Sequence, residues 1–152
     1  MTRILVAMER EAKALGLPCE VIGIGADKLP PTADDDVIVN VGYCGGDGIP
    51  VGAVVEPKAS IDWETQWTYR LEKHFPCRKA ICVTAPDFVN EPLVGSPAVY
   101  DMELSRLIQL PCRDFYCLKI VSDNLNETDC ESFRDEKAWE RVRELLKGAG
   151  LI

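Results

Sequence analysis

No run of this chain approaches the roughly 20 consecutive apolar residues of a membrane-spanning helix. The amino terminus reaches Glu9 before a signal-peptide core could form, so a cytoplasmic location is expected. There is one histidine, His74, and no Cys-x-x-Cys pair among the seven cysteines. Neither a zinc site nor a disulfide framework is therefore expected. The thiols read instead as reduced, mostly buried packing residues, because free cysteine behaves as a small hydrophobe. Basic residues are few, with Lys+Arg 17 against Asp+Glu 25 and a formal charge of −8. That balance repels phosphate backbones and argues against nucleic acid or an anionic membrane as partner. No Gly-Lys-Ser/Thr follows the glycines, so there is no P-loop. Gly23-Ile24-Gly25 lacks both the third glycine and the helix of a dinucleotide fingerprint. A nicotinamide or flavin is disfavoured, and no cofactor is expected. Repeats, low-complexity tracts and domain boundaries are also missing. Residues 1–152 read as one domain, long enough to bury roughly 68–70% of its extended surface.

What is present alternates between strand and helix. Residues 3–7 form a short apolar strand, and 8–15 carry helix formers up to Gly16. Strands follow at 19–24, at 36–41 with many β-branched residues, and at 51–55. Asp62 can cap a helix with the stripe Trp63, Trp67 and Leu71, which Pro76 ends. Residues 79–84 read as a buried strand. Ser96 and Pro97 suggest a helix start leading into Met102, Leu104, Leu107 and Ile108, with Pro111 as its end. A strand at 115–121 precedes a last helix from Asp129 or Ser132 to Lys147, with Trp139, Val142, Leu145 and Leu146 on its apolar face. This pattern predicts an α/β fold with a mixed, mostly parallel sheet flanked by helices on both faces. The acidic link at 25–35, with Pro30-Pro31, is too short for a covering helix. The sheet there is expected to be antiparallel or bridged by a bare loop.

Three acids stand where such sheets build pockets. Glu11 and Asp123 lie just past apolar strands, and Glu103 lies in an otherwise apolar helix. A carboxylate is rarely enclosed without a partner. For Glu11 a helix-start charge is an alternative, and for Asp123 a turn. The run Gly42-Tyr43-Cys44-Gly45-Gly46-Asp47-Gly48 follows a strand, and its glycines allow either close approach of a ligand or a plain turn.

Taken in order, Ala7-Met8-Glu9-Arg10-Glu11, then residues 37–46, Asp87-Phe88-Val89-Asn90, Asp101-Met102-Glu103 and Val121-Ser122-Asp123 resemble the purine nucleoside phosphorylase superfamily. The similarity is greatest to its methylthioadenosine/S-adenosylhomocysteine nucleosidase branch. The chain resembles a shortened member, reduced between about residues 25 and 60. The resemblance implies a purine nucleosidase that releases free base and sugar from a purine nucleoside or thionucleoside, in a homodimer or larger homo-oligomer.

Such a reaction passes through an oxocarbenium-like sugar and needs a base for water, an anion near the hydroxyls and an acid for the departing ring. By resemblance, Glu11 activates water, Glu103 beside Met102 holds the 2′- and 3′-hydroxyls, and Asp123 protonates the purine. Phe88 stacks on the base, the backbone of Val89 bonds its edge, and Ser122 supports Asp123. Tyr43 and Gly45 lie against the substrate. The acid role calls for a carboxyl at Asp123 that keeps its proton near neutral pH. Phosphorylase members take up phosphate with an Arg and a Ser, whose matching positions here are Asn40 and Tyr43, so water is the implied acceptor. A phosphate-dependent phosphorylase and a catalytically degenerate nucleoside binder are the alternatives.

Overall fold

A computed structural model describes residues 1–152. Its strands are β1 (Thr2–Val6), β2 (Glu20–Val21), β3 (Val37–Asp47), β4 (Val54–Asp62), β5 (Thr68–Arg70), β6 (Arg78–Thr84), β7 (Ala98–Asp101) and β8 (Asp114–Asp123). The helices are α1 (Glu9–Leu15), α2 (Leu104–Leu107), α3 (Glu127–Ser132) and α4 (Glu136–Gly148). No helix is long and apolar enough to cross a membrane.

β3 is the spine of the sheet. Its first half lies between β1 and β8, parallel to both, and Gly45–Asp47 pairs with antiparallel β7 once β1 has ended. β8 also meets β4, β4 pairs with β6, and β6 with β7, so β3, β8, β4, β6 and β7 close into a ring. The expected mostly parallel arrangement gives way to a mixed sheet, since β3–β7, β4–β5 and β4–β8 run antiparallel. Closure explains the difference: two of these three pairings are the joints of the ring.

Side-chain alternation on β8 sorts the interior. Leu118 and Ile120 face α4 and pack with its Trp139, Val142, Leu145 and Leu146. Cys117 and Val121 turn into the ring with Cys44, Val55, Cys82 and Val99. On the opposite side from α4, Leu107 of α2 packs on Leu5, Ile22 and Ile38. Helices thus cover both faces. The link from β2 to β3 holds no helix beyond one 3₁₀ turn at Ile24–Ala26, and both strands run parallel to β1, so it is a bare loop. All seven thiols are free; Cys44, Cys82 and Cys117 are buried, whereas Cys19, Cys77, Cys112 and Cys130 are only half-buried.

Three expected elements differ, and the turn alternative for the glycine run falls away. The helix at Asp62 is absent, because the Asp62 carboxylate accepts from the amides of Glu64 and Thr65 and closes a turn into β5. Trp67 is left 64% exposed rather than packed in a stripe. Ser96 and Pro97 start no helix: β-forming Val99 and Tyr100 continue as β7 between β3 and β6, and the helical stripe begins only at Leu104. The last helix is two, split where Phe133 leaves helical geometry and Asp135 caps α4 through the amide of Ala138. The glycine run is neither turn nor loop through Asp47, since β3 continues across it.

Candidate active site

The carboxyl ends of β1, β3, β7 and β8 border a cavity of about 540 Å³, within the size range of small-molecule sites. Glu11, Glu103 and Asp123 all line it, with Tyr43, Gly45, Phe88 and Met102. Ser122 stands behind Asp123. Val89 is outside the lining and packs in the small cluster of Val83, Ala98 and Tyr100.

Glu11 is 1% exposed. One oxygen accepts from the amides of Ala7 and Met8 at 3.0 and 2.9 Å, and the other from the Tyr43 amide at 2.7 Å. The first pair ties the carboxylate to the start of α1, and the third reaches across to β3. The helix-start reading and the cavity reading of Glu11 therefore hold together. Burial raises its pKa, while the Tyr43 amide and the charge of Lys119 oppose the rise. Gly42 makes room for this arrangement, because a Cβ there would lie 2.9 Å from a Glu11 oxygen. Gly45 does the same on the far side, where a Cβ would lie 3.3 Å from an Asp123 oxygen. Gly42 and Gly45 thus admit two carboxylates to one strand.

Asp123 accepts from the Ser122 hydroxyl at 2.6 Å and from the Asn126 amide at 3.1 Å. It too closes a local turn while facing the cavity. Glu103 sits at the mouth of α2, not inside a longer helix, and accepts from the Gly25 amide at 2.9 Å. Burial, and then the negative charge of Asp101, push its pKa up to about 7. Tyr43 turns its ring into the core, edge-on to Phe133 and Trp139, and its hydroxyl accepts from the Trp139 indole at 3.1 Å. Its backbone, not its phenol, carries Glu11.

Beneath the three acids lies an ion pair that sequence reading passed over. Lys119 is 1% exposed, and its ammonium lies 3.1 Å from Asp101. The Asp101 carboxylate also accepts from the Thr84 hydroxyl at 2.6 Å and the Leu104 amide at 2.8 Å. Burial alone would lower the Lys119 pKa, but the surrounding anions, Asp101 foremost, hold it well above the usual lysine range. The signal for it was present: Cys117, Lys119, Val121 and Asp123 share one face of β8, so a lysine inside that apolar run had to enter the ring. Arg10, Cys130, Glu127 and Glu131 complete the part of the wall that includes α3.

Neither a protein-family model nor a curated protein matches the sequence. Solved structures do match. An Asp-to-Asn variant of an MTAN from Chlamydia trachomatis bound to MTA superimposes with a TM-score of 0.75 at 14% identity, covering 99% of this chain and 98% of that one. The 5′-methylthioadenosine/S-adenosyl homocysteine nucleosidase (MTAN) of Helicobacter pylori gives 0.67 at 13%, covering 98% and 97%. A futalosine hydrolase mutant from Helicobacter pylori gives 0.68 at 12%, covering the same shares. The chain therefore has, from end to end, the fold of these solved nucleosidase and futalosine hydrolase structures.

Proposed function

We propose that this protein is a purine nucleosidase, hydrolysing the N-ribosyl bond of a purine nucleoside or thionucleoside to free base and sugar. The observation that carries the reading is the meeting of Glu11, Glu103 and Asp123, which come from three distant parts of the chain, on one cavity. An N-ribosyl bond breaks by leaving-group departure ahead of nucleophile attack, so charge must be managed at three places at once. Glu11 takes a proton from water. Its raised pKa makes it a stronger base than a solvated carboxylate, and its three amide donors fix it in place. Glu103 holds the ribose hydroxyls and stabilises positive charge on the sugar. Asp123 gives the proton to the purine, with Ser122 orienting it. Phe88 supplies an apolar face for the base, and Met102 packs beside the sugar.

The test is base release from methylthioadenosine, adenosylhomocysteine, inosine and adenosine, with and without phosphate. Release from at least one of them, at a rate that ignores phosphate, is expected. A strict need for phosphate would identify a phosphorylase, and inert nucleosides throughout would leave only a binder.

A pH dependence follows from Glu103. As an anion it grips hydroxyls better, so kcat/KM should climb as pH rises through about 7, and Glu103→Gln should flatten that limb. The same group acts oppositely on stability. Its folded pKa lies above the unfolded value of roughly 4.3, so its contribution to stability declines between those pH values as pH increases. Unfolding midpoints for wild type and Glu103→Gln between pH 5 and 8 check the second half; parallel curves would remove Glu103 as the titrating group.

A further inference from the structure

α2 is only four residues long, and Glu103 stands just before it with φ −128° and ψ −32°. So short a helix has no stability of its own, and the first-turn amides of any helix need acceptors from outside it. Here those acceptors come from the ends of β6 and β7. The Asp101 carboxylate accepts from the amides of Glu103 and Leu104 at 3.3 and 2.8 Å, and the Thr84 hydroxyl accepts from the Ser105 amide at 3.2 Å. Thr84 and Asp101 are register partners, and the hydroxyl donates across to the carboxylate at 2.6 Å. Two more buried hydroxyls lie behind Thr84. Ser60 of β4 is 3.2 Å from Thr84, and Ser105 is 2.8 Å from Ser60. Each hydroxyl has a single proton. Thr84 gives its own to Asp101, which is ionised in its pair with Lys119. Ser60 must then donate to Thr84, and Ser105 to Ser60. The chain therefore runs one way, from Ser105 through Ser60 and Thr84 to Asp101, and successive bonds of one polarity reinforce each other. None of the three hydroxyl residues lines the cavity.

We propose that Thr84 is a positioning residue for Glu103: at the centre of this chain, it mounts the start of α2 so that the Glu103 carboxylate meets the ribose hydroxyls. This inference rests on the nucleosidase reading of the cavity. Thr84 joins Asp101, the Ser105 amide and Ser60 through one oxygen. Without that hydroxyl, Asp101 Oδ1 keeps only the Cys82 thiol at 3.3 Å, a weaker donor. The Ser105 amide and the Ser60 hydroxyl lose their shared acceptor. Asp101 Oδ2 retains Lys119 and the Leu104 amide, so the change loosens the turn and leaves the ion pair. The Glu103 side chain is then left to the Gly25 amide, on the bare loop between β2 and β3.

The experiment compares base release from adenosine and 2′-deoxyadenosine by wild type, Thr84→Val, Thr84→Ser and Ser60→Ala. Thr84→Val keeps the shape and removes the hydroxyl. It should lower the ribose-to-deoxyribose ratio of kcat/KM by about tenfold, the low end for a hydrogen bond to a charged group. Thr84→Ser should restore the wild-type ratio. Ser60→Ala, which leaves the Thr84–Asp101 bond in place, should lower it less, and it decides the matter if Thr84→Val does not fold. In a Glu103→Gln background, Thr84→Val should cause no further loss of ribose preference. An unchanged ratio in both Thr84→Val and Ser60→Ala overturns the proposal, as does an equal loss on the two nucleosides or a full additional loss beside Glu103→Gln. Calorimetric binding of the same two nucleosides keeps the proposal separate from the nucleosidase reading. If neither is cleaved but tighter binding of the ribose form depends on the Thr84 hydroxyl, the positioning role stands and the hydrolase reading fails.

Discussion

Replacing Asp123 by Asn should lower base release by about 10²- to 10⁴-fold, the usual contribution of a positioned general acid, while the protein folds and still binds nucleoside. The substitution is nearly isosteric in a site that is 1% exposed. Its amide oxygen can take over the bond from the Asn126 amide, and the amide nitrogen can donate to Ser122, whose hydroxyl also serves as an acceptor. What disappears is a transferable proton. The loss should therefore fall on kcat far more than on KM. It should also be smaller for a nucleoside whose base already carries positive charge, because that base leaves without protonation. Rates on a neutral purine nucleoside and on its N7-methylated counterpart make the distinction. Equal losses on both would mean that Asp123 holds the fold or the substrate and does not deliver the proton.

The elements that could be read from sequence are those whose reasons are local. β1, β6 and the core of β8 are continuous apolar runs, α1 ends at a left-handed Gly16, and the α4 stripe recurs with helical period. β7 and the β4–β5 hairpin were misread for the same physical reason in reverse. Trp63, Trp67 and Leu71 match a helical spacing, but the decision belongs to pairing with distant strands, which no short window contains. Ring closure likewise depends on β3 exchanging β1 for β7 halfway along its length. At the site, Glu11, Glu103 and Asp123 were visible because each interrupts or follows an apolar segment. Asp101 was hidden inside a segment misread as helix, and with it went the partner that explains Lys119.

Lys119→Met is expected to destabilise the protein by about 3–5 kcal/mol, the penalty for breaking a buried pair from one side. Asp101 would remain 6% exposed, still holding its Thr84 and Leu104 bonds but with no cation. The lysine's own share of the benefit is fully present below its unfolded pKa of roughly 10.4 and is lost as pH climbs through the raised folded value. Chemistry should suffer in a second, separable way. Lys119 opposes the upward shifts of both Glu11 and Glu103, so without it the rising limb of kcat/KM should move above pH 7, even at temperatures where the variant is fully folded. Adding Asp101→Asn to Lys119→Met removes the stranded charge. The double variant should regain much of the stability, and the rising limb should move back toward neutrality, because Asp101 is the chief charge raising Glu103. Denaturant unfolding of the four proteins in the cycle, read beside their pH profiles, tests both parts. An additive cycle together with an unmoved pH limb would reduce Lys119 to a space-filling side chain. A coupled cycle with a displaced limb would make the ion pair the element that sets the ionisation of the acids above it.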